Sequence, residues 1–197
     1  MPARNTVKTF DAPAFYHVYN RGAGGRKIFL DDADRRKFVS LLRRHLIPQP
    51  PDKPQEYTVY DVELVAYCLM GNHFHLLLYQ GGALDAIKGL MRSVLTAYSM
   101  YFNLRHKSKG HLFQGVYKAS HINTESYLLH ITRYIHLNPR TYPTYRWSSL
   151  SCYLGRPDDL VKLDHIDAMS PERYRQFLED YEDRHKLLED IKNQLAL

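Results

Sequence analysis

The stretch Gly71-Asn72-His73-Phe74-His75-Leu76-Leu77-Leu78-Tyr79 constrains this chain more than any other. Two histidines one residue apart share a face only in a β-strand, where side chains alternate with period two. Phe74, Leu76 and Leu78 then face the other way, into a core. Gly71-Asn72 is a hairpin signal. Residues 57–70 before it are rich in β-branched and aromatic side chains (Thr58, Val59, Tyr60, Val62, Val65, Tyr67), which suit a long partner strand. A strand carrying two imidazoles backed by apolar residues is half of a metal site. Taken alone, the pair fits equally well two strand histidines satisfied by neighbours or water.

Periodicity supplies the other elements. Phe15-Tyr16-His17-Val18-Tyr19 alternates and runs into a glycine-rich loop. Asp31, Asp32 and Asp34 open a helix with apolar Phe38, Leu41, Leu42 and Leu46, which Pro48, Pro50 and Pro51 stop. Residues 83–104 repeat apolar side chains at helical spacing, and residues 116–122 read as a fourth strand. Thr124 is a good N-cap for a helix over 125–137, ended by Asn138-Pro139. The order β-α-β-β-α-β-α predicts a ferredoxin-like (split βαβ) α+β fold. Its antiparallel sheet of four to five strands carries helices on one face and leaves the other open for a substrate. The chain divides on this reading into residues 1–145 and a helical C-terminal extension, 146–197, with a polar helix near 171–194.

Charge narrows the partner. Residues 1–150 hold 20 Lys/Arg against 10 Asp/Glu, whereas residues 151–197 hold 7 against 11. The basic excess of the first part suits a phosphate backbone, and the 16 tyrosines include candidates for stacking on unpaired bases. The acidic tail is a candidate to fold back onto the basic groove. No stretch reaches the length of a membrane-spanning helix, and the N-terminus lacks a signal-peptide apolar core. Cys68 and Cys152 are in no zinc-like spacing and read as reduced thiols of a cytoplasmic protein.

Tyr134-Ile135-His136-Leu137-Asn138 puts Tyr134 and Asn138 one turn apart on one helical face. His136 points elsewhere and is expected to do no chemistry. Five blocks then occur in order: Tyr16-His17-Val18 with Asn20-Arg21-Gly22; Met70-Gly71-Asn72-His73-Phe74-His75; Leu112-Phe113-Gln114-Gly115-Val116-Tyr117-Lys118; Tyr134 to Pro139; and Trp147-Ser148-Ser149. Together they resemble the HUH superfamily of single-tyrosine transposases, in its REP-associated tyrosine transposase branch, over nearly the whole chain. Where that branch often continues Asn-Pro with Val-Arg-Ala-Gly, this chain reads Arg140-Thr141-Tyr142-Pro143, a departure beside an intact catalytic block.

The resemblance implies a single-stranded DNA endonuclease and strand transferase acting beside a DNA hairpin, as a monomer or homodimer. Tyr134 is the implied nucleophile, forming a 5′-phosphotyrosine. His73, His75 and Asn138 are the implied ligands of Mg²⁺ or Mn²⁺, with Zn²⁺, Ni²⁺ or Co²⁺ as tighter substitutes in vitro. Arg105, Lys107, Lys109 and Lys118 are candidate DNA-backbone contacts, and Arg21 a base or phosphate contact. Two other readings stay open: a silent nucleic-acid-binding module with an RNA-recognition-like sheet, and a zinc hydrolase that uses water.

Overall fold

The computed structural model describes residues 10–166 and 169–180. Its elements are β1 (Ala14–Arg21), α1 (Asp32–Leu46), β2 (Val62–Leu69), β3 (His73–Gln80), α2 (Ala86–Arg105), β4 (Lys118–Ile122), α3 (Glu125–Leu137), the short α4 (Leu150–Tyr153) and α5 (Pro171–Glu179). The four strands form one sheet in the order β2-β3-β1-β4, and each neighbouring pair is antiparallel. This is the ferredoxin-like α+β arrangement expected from the element order. The caps agree with the sequence. Asp31 accepts hydrogen bonds from the N–H groups of Ala33 and Asp34, and Thr124 accepts one from Tyr127 N–H.

Alternation sorts the sheet into two faces. Tyr16, Val18, Phe74, Leu76 and Leu78 pack with Phe38, Leu41 and Leu42 of α1 and with Leu90, Met91, Val94 and Tyr98 of α2. Tyr19, Val65, Cys68 and Leu77 face the other way, against Ile131, Tyr134 and Ile135 of α3 and against Tyr153 and Tyr174. The second face was expected to stand open and is instead largely covered. Side chains such as Val65, Cys68 and Leu77 carry no polar group that rewards contact with water, and all three are fully buried. Both cysteines are free and buried.

Two boundaries differ from the sequence reading. Strand β2 begins at Val62, because the Tyr60 N–H donates to His45 O on α1 rather than to a strand. The Tyr60 ring lies against Gly89 of α2, where a Cβ would sit 2.4 Å from the ring. Strand β4 starts at Lys118, after an irregular stretch in which Gln114 N–H donates to Arg21 O.

The segment after α3 closes the β2 edge. Leu69 N–H donates to Trp147 O, Ser149 N–H to Tyr67 O, and Lys162 N–H to Leu64 O. The Trp147 indole N–H reaches Asp32 at 2.7 Å, fastening the same segment to the start of α1. An otherwise unpaired strand edge is thereby satisfied. The expected polar helix near 171–194 is described only as α5, to Glu179; its remainder lies outside the described residues.

Candidate active site

His73 and His75 lie on one face of β3 as the alternation requires, with ring centroids 5.0 Å apart. Helix α3 crosses that face and delivers two residues to it. The Tyr134 ring meets the His75 ring edge-on at 5.2 Å, and Asn138 Oδ1 lies 3.1 Å from His73 Nε2. Thr124 starts the helix and Pro139 comes directly after Asn138, so one sequence-defined helix spans both residues. Phenol, amide and both imidazoles therefore converge at one end of the sheet.

Exposure within this group is graded. His73 and Asn138 are half-buried at the mouth, whereas His75 is 2% and Tyr134 1% exposed. Burial raises the Tyr134 phenol well above its ordinary value. The neighbouring Tyr19 adds to the rise, while a hydrogen bond with Asn138 opposes it and favours the phenolate. An amide N–H donated to the phenol oxygen has that effect, and it leaves Asn138 Oδ1 for His73.

His73 also lies 2.7 Å from Asn72 Oδ1 through its Nδ1. An oxygen thus faces each ring nitrogen, but a neutral imidazole has only one N–H to donate. If that N–H serves Asn72, the Nε2 lone pair and Asn138 Oδ1 face each other with nothing positive between them. A cation there satisfies both atoms, so these residues fit a metal ion. Among the described residues no cluster of three or more His, Cys, Asp and Glu is found. The residues that could hold one are two imidazoles and a neutral amide, a set that would leave room for oxygen ligands from a substrate.

Residues 55–138 match the family model described as "Transposase IS200 like". The match spans both histidines, Tyr134 and Asn138. Over those residues the chain is similar to this transposase family. A solved structure of a REP-associated tyrosine transposase bound to a REP hairpin aligns with a TM-score of 0.55 at 15% identity, covering 83% of this chain and 96% of that one. That likeness is one of fold. A tRNA(His) guanylyltransferase from Saccharomyces cerevisiae aligns at 9% identity with a TM-score of 0.41, over 96% of this chain and 82% of that one, too distant to bear on function. No curated protein matches the sequence.

The candidate DNA contacts fall in different places around these four residues. Arg21 ends β1 directly opposite His73. Lys118 pairs across from Tyr19, with its ammonium 5.9 Å from that ring. Lys107 and Lys109 occupy the loop after α2, which the Arg26–Ser108 hydrogen bond ties to the loop after β1. Arg105 is engaged elsewhere, with Asp31 at 2.7 Å and Asp34 at 2.6 Å. In the described part of the acidic tail, Asp158 and Asp159 pair with Arg43 of α1, and Phe177 of α5 lies under the Arg133 guanidinium at 3.4 Å.

Two residues of the site had no role in the sequence reading. Asn72 orients His73. His17 lies beneath His75, with its Nε2 2.9 Å from His75 Nδ1. The Tyr16-His17-Val18 alternation held the signal, since it puts His17 and Tyr19 on one face. Only the β1–β3 register, with Tyr19 opposite His75, makes His17 the diagonal neighbour of His75. No helix among the described residues is long and apolar enough to cross a membrane.

Proposed function

We propose that this protein is a metal-dependent single-stranded DNA endonuclease and strand transferase of the REP-associated branch, with Tyr134 as nucleophile. One observation carries the reading. Asn138 meets His73 across 65 residues of sequence while its own helix sets Tyr134 against His75. A silent binding sheet has no need of that convergence.

The scissile phosphate enters at the half-exposed mouth between His73 and Asn138, where Arg21 and Lys118 flank the strand ends. The Tyr134 oxygen attacks phosphorus, the bond from phosphorus to the 3′-oxygen breaks, and the departing oxygen takes up a proton. The products are a 5′-phosphotyrosine and a free 3′-hydroxyl, which can later attack another such linkage. Divalent metal, Mg²⁺ or Mn²⁺, held by His73, His75 and Asn138, supplies charge stabilisation at the phosphate oxygens. Asn138 serves twice, because its donated N–H also favours the phenolate form of Tyr134. Arg21, Lys107, Lys109 and Lys118 contact the DNA backbone. Arg105 joins them only by giving up its carboxylate partners. Hairpin DNA is the proposed substrate context because the structural neighbour of the same fold is bound to one.

The test is a denaturing gel of protein mixed with Mn²⁺ and labelled single-stranded oligonucleotides that contain a hairpin. A covalent adduct is expected, lost in Tyr134→Phe, in His73→Ala and with chelator. Cleavage that persists in Tyr134→Phe without an adduct would overturn the tyrosine mechanism in favour of activated water. Binding without cleavage across a tiled set of such oligonucleotides would leave the silent module.

A further inference from the structure

His17 sits in the middle of β1 on the face that α3 covers, and it is completely buried. Its ring lies nearly parallel to that of His75, at 23° with centroids 5.0 Å apart, and the Tyr134 ring closes over both. The imidazoles touch through one pair of nitrogens, His17 Nε2 and His75 Nδ1, at 2.9 Å. The other nitrogen of His17, Nδ1, is buried and has no hydrogen-bond partner among the described residues.

Only one proton fits between two nitrogens at that distance. If it belongs to His17, then His75 accepts at Nδ1 and keeps its own proton on Nε2, where it cannot ligate. If it belongs to His75 Nδ1, then the Nε2 lone pair of His75 is available for a cation. The direction of one buried hydrogen bond therefore decides whether His75 is a ligand. Metal-binding histidines commonly donate their second N–H to an acceptor that fixes ring and tautomer. Here the atom in that position is an imidazole nitrogen rather than a carboxylate or carbonyl.

We propose that His17 is a positioning residue for the metal centre, accepting the His75 Nδ1–H and so holding His75 in its ligating tautomer. The inference rests on the proposed metal centre and extends it to a residue outside the ligand set. In this arrangement the remaining proton of His17 lies on Nδ1 without an acceptor. That unfavourable placement persists because the surrounding sheet and α3 fix the ring.

The experiment compares wild type, His17→Phe, His17→Gln and His73→Ala as full-length proteins. Phenylalanine keeps the planar bulk without an acceptor, and glutamine restores a carbonyl oxygen that can take the His75 N–H. Nitrogen-15 NMR of metal-free protein reads the His75 tautomer, calorimetry reads Mn²⁺ affinity, and thermal melting confirms folding. The expected results are an Nδ1–H tautomer of His75 in wild type and Mn²⁺ binding about 10- to 100-fold weaker in His17→Phe. His17→Gln should bind within about 3-fold of wild type, less than the loss such a positioning partner causes when removed. A wild-type His75 protonated on Nε2, or a folded His17→Phe that binds Mn²⁺ as tightly as wild type while His73→Ala does not, overturns the inference alone. Absence of Mn²⁺ binding in wild type overturns the metal centre and takes this inference with it. Should His17→Phe fail to fold, His17→Gln decides: an Nδ1–H tautomer with retained affinity supports the role, and loss of affinity despite that tautomer refutes it.

Discussion

Asn138 shows how much one side chain carries at the residue scale. Its amide oxygen faces His73 while its N–H supports the Tyr134 phenol, so a change there separates two functions. Asn138→Asp adds a formal negative charge to the proposed donor set. Calorimetry should find Mn²⁺ bound about 10-fold tighter or more, since charge count governs affinity for hard cations. The same variant should slow adduct formation, because a carboxylate near the phenol discourages the phenolate. Asp34 carries stability instead. Burial acts to raise its carboxyl, but hydrogen bonds from His106, Leu30 N–H and Arg105 outweigh burial and hold it below the ordinary range. A depressed carboxylate contributes stability above its unfolded pKa of about 3.9, and loses that contribution as pH falls below it. Urea unfolding of Asp34→Asn should therefore show a loss of about 2–4 kcal/mol at pH 7 and a shallower acid dependence than wild type.

At the scale of elements, α3 is held by segments that lie C-terminal to it as well as by the sheet. His136 is fully buried on its far side, 2.8 Å from Ser149 Oγ and 2.7 Å from the Tyr174 hydroxyl. Ser149 also accepts from Tyr67 N–H of β2, and Tyr174 donates to Thr132 Oγ1. Burial keeps the His136 ring neutral, with its pKa pushed down to about 3. The sequence reading gave His136 no chemistry, and in the structure it links α3 to β2 and to α5 through Ser149 and Tyr174. His136→Leu should lower stability by about 2–4 kcal/mol in urea unfolding, since two buried partners lose their bonds. Limited proteolysis should then cut near α5 before the sheet. An unchanged cleavage pattern would mean that apolar packing alone holds α5 to α3.

For the whole molecule, the charge asymmetry predicts how DNA binding responds to salt. The basic excess lies in residues 1–150, and Arg21 and Lys118 stand beside the paired histidines. The log–log salt slope for a single-stranded oligonucleotide should fall by about 0.7 for each of Arg21→Ala and Lys118→Ala, and by less for Arg105→Ala, whose charge Asp31 and Asp34 already meet. By itself the sequence determined whatever repeats over a short span. The His73–His75 alternation, the Thr124 cap and the stop at Pro139 encode a strand and a helix through local sterics and hydrogen bonding. Element order then implied the sheet topology, and the i, i+4 spacing put Tyr134 and Asn138 on one face. Tertiary structure alone decided which distant groups meet. Strand register brought His17 beneath His75, and closure of the β2 edge by Trp147 and Ser149 turned an expected appendage into support for α3. These pairings depend on register and on three-dimensional packing between segments remote in sequence, and neither has a period that a linear reading can detect.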